Sequence, residues 1–258
     1  MTGASRRVVL AGLMAPTIAC AGASEHVAWM EGWEAVLRAR VDAQGRVDFA
    51  GIAAAPDALS ALVRWVGAAG PRLRPDLFPT RADVLAYHCN SYNAIAMWRV
   101  VQAGIPERFS PFGRYQFFLN SAIAVDGSFT TLKQYEDEVI RPLDEERVHF
   151  ALNCMVRGCP RLPRDAFRPD RLEAQFAAVT REFCESEYHV RPDPAARRVL
   201  ISDIFRFYTR DFVPGKAPDL LTYVNRHRGT PLPAGLRPGF LDYDWTINRQ
   251  PRPDHGTG

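Results

Sequence analysis

The segment from Thr80 to Gly104, "TRADVLAYHCNSYNAIAMWRVVQAG", most constrains what this chain can fold into. Thr80 is a suitable N-cap, Asp83 follows three residues later, and Gly104 is a suitable C-cap, so the spacing predicts one long helix. Leu85, Cys89, Tyr92, Ala96 and Val100 form one stripe. Asn90, Asn93, Ala94, Met97 and Val101 form another. Apolar residues on more than one face predict a helix buried at the centre of the molecule. Asn90 and Asn93 then sit three residues apart inside a core, where an amide must find hydrogen-bond partners.

Other elements are arranged around it. Val27, Met30, Trp33, Val36 and Leu37 recur at helical spacing, and "ALSALVRWVGAAG" reads as a second amphipathic helix ended by glycines. "PFGRYQFF" and "IAVDGSFTTL" read as short strands, the second with a turn at Asp126-Gly127. A helix is expected from Thr131 to about Pro142. "RVHFALNC" alternates Val148, Phe150 and Leu152 with His149, Ala151 and Asn153, and is read as a central strand buried on both faces. "DRLEAQFAAVTREFCESE", "SDIFRFYTRDF" and "LLTYVNRH" read as helices, "RRVLIS" as a strand and "FLDYDWTIN" as a terminal extended segment. Helices and strands mix irregularly and strands are few. The expectation is an α+β single domain, with a helical N-terminal half whose buried central helix packs on a small mixed sheet.

The chain has 258 residues, 47% of them hydrophobic and 24% charged, within the range of one globular domain. Net charge is only +3, Lys133 and Lys216 are the only lysines, and no basic block interleaves with aromatics, which argues against a nucleic-acid partner. The beginning is more informative. Arg6 and Arg7 precede a short apolar run and then Ala21-Gly22-Ala23, the layout of an export signal resembling the twin-arginine type. Thr17 fits a lipobox ending at Cys20 poorly, so lipoprotein anchoring is the weaker option. The expected organisation is a signal over 1–23, one domain over 24–248 and a disordered tail over 249–258. The expected location is periplasmic or secreted, with no stable membrane span after signal removal.

An exported chain keeps Cys89, Cys154, Cys159 and Cys184, and an even number of cysteines in an oxidising compartment invites disulfides. Cys154 and Cys159 are separated by four residues, so they do not form a C-x-x-C redox motif. Three readings stay open. They close a local disulfide, which stabilises by about 2 kcal/mol. One of them is a nucleophile, with His149 as the nearest base. Or they form half of a zinc knuckle with His149, His88 or Cys89, although adjacent residues on a helix point apart. Cys89 itself, on a central helix as in papain-like enzymes, would need His149 with Asp203, or His189, as partners; its plainer role is to fill the Leu85–Tyr92 stripe. Glu138 and Arg141 read as an ordinary helix pair.

Five ordered segments, "NSYNAIAMW", "FTTLKQYEDEVIR", "RVHFALNCMVRGCPRL", "LISDIFRFYTRDF" and "YDWTIN", resemble the family called domain of unknown function 547, from about Ala86 to Asn248. The matching positions include Asn90, Tyr92, Asn93, Glu136, Arg141, His149, Cys154, Cys159, Pro160, Phe205, Tyr208, Asp211, Phe212, Tyr243, Asp244, Trp245 and Asn248. Two positions depart from the family: Asp137 stands where it has a histidine, and Phe207 where it has a tryptophan. The resemblance implies candidate positions and no reaction. With the residues, it points to His149, Cys154 and Cys159 as catalytic and to Asn90, Asn93, Glu136 and Arg141 as binding residues for a small-molecule or peptide ligand. No metal or cofactor is assigned. The leading expectation is a periplasmic cysteine-dependent hydrolase or acyl transferase. A disulfide-stapled binding module is the alternative, and a thiol redox or metal-handling protein the third.

Overall fold

A computed structural model describes residues 18–251. Arg6 and Arg7 lie outside the described residues, as does the tail beyond residue 251. Helix α1 (Ile18–Arg40) runs across the boundary expected at residue 23 and ends at a short antiparallel contact between Val41 and Val47. Helices α2 (Phe49–Ala54) and α3 (Asp57–Ala68) follow, α2 capped by the Asp48 carboxylate on the Gly51 N–H. The expected long helix is α4 (Arg81–Gln102). Its first turn carries a full capping box between Thr80 and Asp83, and Gly104 follows it at φ +76°.

Nearly every side chain from Leu85 to Met97 is buried, so α4 is the axis of the fold. It packs against α2, α3 and the helical turn Pro169–Arg171. The architecture is α+β, as expected. The sheet packs instead on other helices: β3 (Val190–Asp193) pairs antiparallel with β4 (Arg198–Ser202), and β4 pairs parallel with β5 (Arg237–Leu241). This mixed sheet lies against α8 (Leu172–Glu185) and α9 (Asp203–Phe207). A separate hairpin joins β1 (Ile123–Val125) and β2 (Ser128–Thr130) through Asp126 and Gly127, both at positive φ, as a primed turn requires. No helix among the described residues is long and apolar enough to cross a membrane.

Two expected strands are helical. Pro111–Tyr115 forms helix α5, with Ser110 accepting the Gly113 N–H and Pro111 in the first turn, and the chain then widens into a π-type turn over Gln116–Asn120. The segment read as a central strand is α7 (Val148–Ala151), whose N–H groups bond back to Glu145, Glu146 and Arg147. All four of its residues are buried, and a helical turn buried on every side carries the same apolar run as a buried strand.

The remaining elements are short. Thr131 caps α6 (Leu132–Gln134), which opens into a second π-type turn over Tyr135–Ile140. Ser202 caps α9, α10 (Thr209–Phe212) follows after Tyr208, and Asp219 caps α11 (Leu220–Arg226). The C-terminal segment is a strap. Ile247 pairs with Val156, Asn248 donates to the Gly45 carbonyl at 2.7 Å, and Gln250 bonds the carbonyls of Arg40 and Arg46. Arg249 and Gln250, assigned to the tail, are therefore tied to the domain.

Candidate functional site

A cavity of about 610 Å³ opens where α4, α5, α7, the second π-type turn, α9 and the C-terminal strap meet. Three of the residues singled out as catalytic, His149, Cys154 and Cys159, line it, and so does Glu136. Half of the remaining lining residues are aromatic, among them Tyr92, Phe118, Tyr208, Tyr243 and Trp245.

The cysteines sit on a loop that leaves α7. Asn93 of α4 clamps its start, donating to the Ala151 carbonyl at 2.9 Å and accepting the Asn153 N–H at 2.7 Å. Asn153 closes the loop, donating to the Pro160 carbonyl and accepting the Met155 N–H, both at 2.7 Å. Met155 takes φ +66° to make the turn. Gly158 lets the strap approach, since a Cβ there would come within 2.9 Å of the Tyr243 ring and 3.0 Å of the Asp244 nitrogen.

These constraints bring the sulfurs of Cys154 and Cys159 to 2.7 Å, unbonded but closer than any ordinary contact, against about 2.05 Å for a disulfide. Their surroundings differ. The Cys159 sulfur accepts the Cys154 backbone N–H at 3.1 Å and lies 3.2 Å from the Tyr243 hydroxyl. Burial alone would raise the Cys159 thiol, but hydrogen bonds from the Cys154 thiol, the Tyr243 hydroxyl and the backbone bring it below its ordinary value. The hydrogen bond that Cys154 gives to Cys159, with burial, pushes Cys154 well up. Cys159 is buried and Cys154 is the more exposed of the two.

The opposite wall is acid–base in character. His149 Nε2 lies 2.8 Å from the Asp211 carboxylate, which also takes a two-pronged contact from Arg141 at 2.7 and 2.8 Å. Burial would raise Asp211, but the Arg141 guanidinium and the His149 ring N–H hold its carboxyl well below the usual range. The imidazole stacks on Tyr208 with ring centres 3.9 Å apart. Its Nδ1 is buried without a hydrogen-bond partner and lies 3.8 Å from Glu136 Oε1. No hydrogen bond joins His149 to either sulfur among the described residues.

Several of the other expected residues lie away from the cavity. Asn90 donates to the Phe167 carbonyl at 2.7 Å and accepts its N–H at 3.0 Å, so its amide is committed to backbone and lies outside the cavity. Asn93 is likewise committed, as a positioning group for the cysteine loop. Arg141 does not line the cavity; it pairs with Asp137 and Asp211, while Glu138 is exposed. Cys89 is fully buried within the core and its thiol is pushed up by burial, while His189 stacks on Phe183 with ring centres 3.9 Å apart. His88 faces the Tyr135 hydroxyl at 2.7 Å. No group of three or more His, Cys, Asp or Glu side chains among the described residues is placed to hold a metal ion. Asn153 and Tyr243 carry more of the site than the sequence suggested. Tyr243 stands 84 residues from Cys159, and only its place in the "YDWTIN" segment marked it.

A family described as "protein of unknown function, DUF547" matches residues 78–184. The chain resembles that family. The matched stretch holds α4, Glu136, His149 and both loop cysteines, whereas Tyr208, Asp211 and Tyr243 lie beyond it. No curated protein and no solved structure matches the chain. Of the two departures from the DUF547 pattern, Phe207 is on the cavity wall, edge-on to Tyr243 with ring centres 5.5 Å apart. Asp137 lies off the wall and takes ion pairs from Lys133 at 2.6 Å and Arg141 at 2.8 Å.

Proposed function

We propose that the cavity is a thiol–disulfide exchange site in which Cys154 and Cys159 cycle between disulfide and dithiol. The observation that carries this reading is the asymmetry of the pair. The buried sulfur, Cys159, accepts a backbone N–H at 3.1 Å and has the Tyr243 hydroxyl at 3.2 Å, which stabilise a thiolate, whereas the more exposed sulfur, Cys154, has that hydroxyl only at 3.7 Å and no backbone N–H among the described residues. A leaving thiol of lower pKa departs faster in exchange. A substrate thiolate entering the cavity therefore attacks the Cys154 sulfur. The Cys154–Cys159 bond breaks, and its electron pair stays on Cys159 as thiolate. A second substrate thiolate then attacks the substrate sulfur of the mixed disulfide and forms the substrate disulfide. Cys154 is released and takes one of the two protons given up by the substrate thiols; the other goes to solvent. Two electrons have passed from substrate to protein, and an external disulfide restores the resting bond by the reverse exchange. The export signal read at the beginning of the chain fits this chemistry, because an oxidising compartment supplies such disulfides.

A cysteine hydrolase using His149 as base fits less well. That imidazole is bonded to Asp211 and makes no hydrogen bond to sulfur. A plain staple would not need donors on one sulfur.

The test is to expose the oxidised protein briefly to glutathione, quench with acid and map the adduct. The mixed disulfide is expected on Cys154 with Cys159 free. An adduct confined to Cys159, or none, contradicts the assignment.

A further inference from the structure

We infer that the gap between Glu136 and His149 is a binding site for the protonated amine of an apolar molecule. His149 Nε2 lies 2.8 Å from the Asp211 carboxylate, so a ring that donates there and carries one proton has its lone pair on Nδ1. That nitrogen has no partner in the protein, and the side chain is 1% exposed. Glu136 Oε1 lies 3.8 Å from it, beyond hydrogen-bond length and also an acceptor. Two acceptors converge on one buried point of the cavity wall, and a group with at least two N–H donors satisfies both.

Charge points the same way. Glu136 is 5% exposed and has no lysine or arginine partner among the described residues. Lys133 is paired with Asp137, and Arg141 with Asp137 and Asp211. The remaining cation on the cavity wall, Arg114, stacks over Trp245 at 4.6 Å. The Tyr92 hydroxyl donates to Glu136 at 3.5 Å and the Tyr208 hydroxyl also lies against that carboxylate, but both partners are neutral. A buried carboxylate without a counter-charge is costly, and a ligand ammonium supplies one. Tyr92 adds an aromatic ring to the wall beside the carboxylate. The rest of the wall is apolar, so the body of the ligand is aromatic or aliphatic. A trimethylammonium group lacks N–H donors and fits the two acceptors poorly.

The ligand shares its cavity with the exchange site, but this inference rests on the carboxylate wall and not on thiol chemistry. The experiment is calorimetric titration of the protein, and of the Cys154→Ser/Cys159→Ser double variant, with 2-phenylethylamine, its trimethylammonium analogue, 2-phenylethanol and 3-phenylpropionate. The amine is expected to bind at least about tenfold more tightly than each of the other three in both proteins, as loss of charge-assisted hydrogen bonds implies. Glu136→Gln, checked for folding by circular dichroism, is expected to abolish that preference. The inference is overturned if the alcohol binds as tightly as the amine, or if folded Glu136→Gln keeps the preference. It is also overturned if the amine binds more weakly than about 1 mM. The probe comparison in the unaltered protein decides the matter even if the variant does not fold. Amine preference without glutathione adducts at Cys154 would sink the exchange reading alone.

Discussion

Two pairs of cysteines in this chain have opposite surroundings. Cys89 and Cys184 lie in the hydrophobic core, on α4 and α8, and burial drives both thiols up, Cys184 to about 12. Cys154 and Cys159 are also poorly accessible, yet they face a cavity, touch each other and have Tyr243 and a backbone N–H beside them. Burial is common to all four. The difference lies in donors aimed at sulfur, and donors decide whether a buried thiol is a small apolar side chain or a reactive one.

The largest expected effect breaks this contrast if it is absent. In reduced native protein, an alkylating reagent should modify the Cys154–Cys159 pair at least about 10³-fold faster than Cys89 or Cys184, which react only when the core opens at a cost of several kcal/mol. Mass mapping over time checks this, and comparable rates at all four sites would erase the distinction. A smaller effect sharpens it. Tyr243→Phe removes the hydroxyl beside Cys159 but keeps the ring against Gly158, and should raise the thiolate titration at 240 nm by about one pH unit, or about 1.4 kcal/mol.

The smallest effect concerns the opposite wall. Asp211 titrates lower in the folded chain than its unfolded value of about 3.9. Its contribution is therefore fully present above that value and lost as pH falls through the folded one. Asp211→Asn should cost about 1 kcal/mol at pH 7, allowing for solvent screening, flatten the acid limb of the stability curve and leave the Cys159 thiolate in place. Urea denaturation between about pH 2 and about pH 7 follows the loss.

What the sequence made legible was local. Thr80 with Asp83 and the two-faced apolar pattern marked α4, and the Asp126-Gly127 pair marked the hairpin. The buried amides of Asn90 and Asn93 were recognised as needing partners, but the partners are backbone groups of Phe167, Ala151 and Asn153, distant in sequence. Val148–Ala151 reads as a strand in sequence because burial on all sides removes the polar face that separates a helical turn from a strand. At Pro111, the Ser110-Pro111 pair was a helix-start signal that the aromatic run concealed. His149, Cys154, Cys159 and Glu136 were found together at one cavity. The Asp211 and Tyr243 contacts depend on tertiary approach, and the spacing of residues along the chain does not encode it.

The central claim is that Cys154 and Cys159 form an exchangeable couple. The direct measurement is equilibration of the protein in glutathione redox buffers, followed by acid quench, alkylation and mass counting of free thiols. The account predicts a two-electron transition involving only Cys154 and Cys159, with a midpoint less negative than about −300 mV. A bond that glutathione cannot reduce would make the pair a structural staple, and thiols that never pair would contradict the account outright.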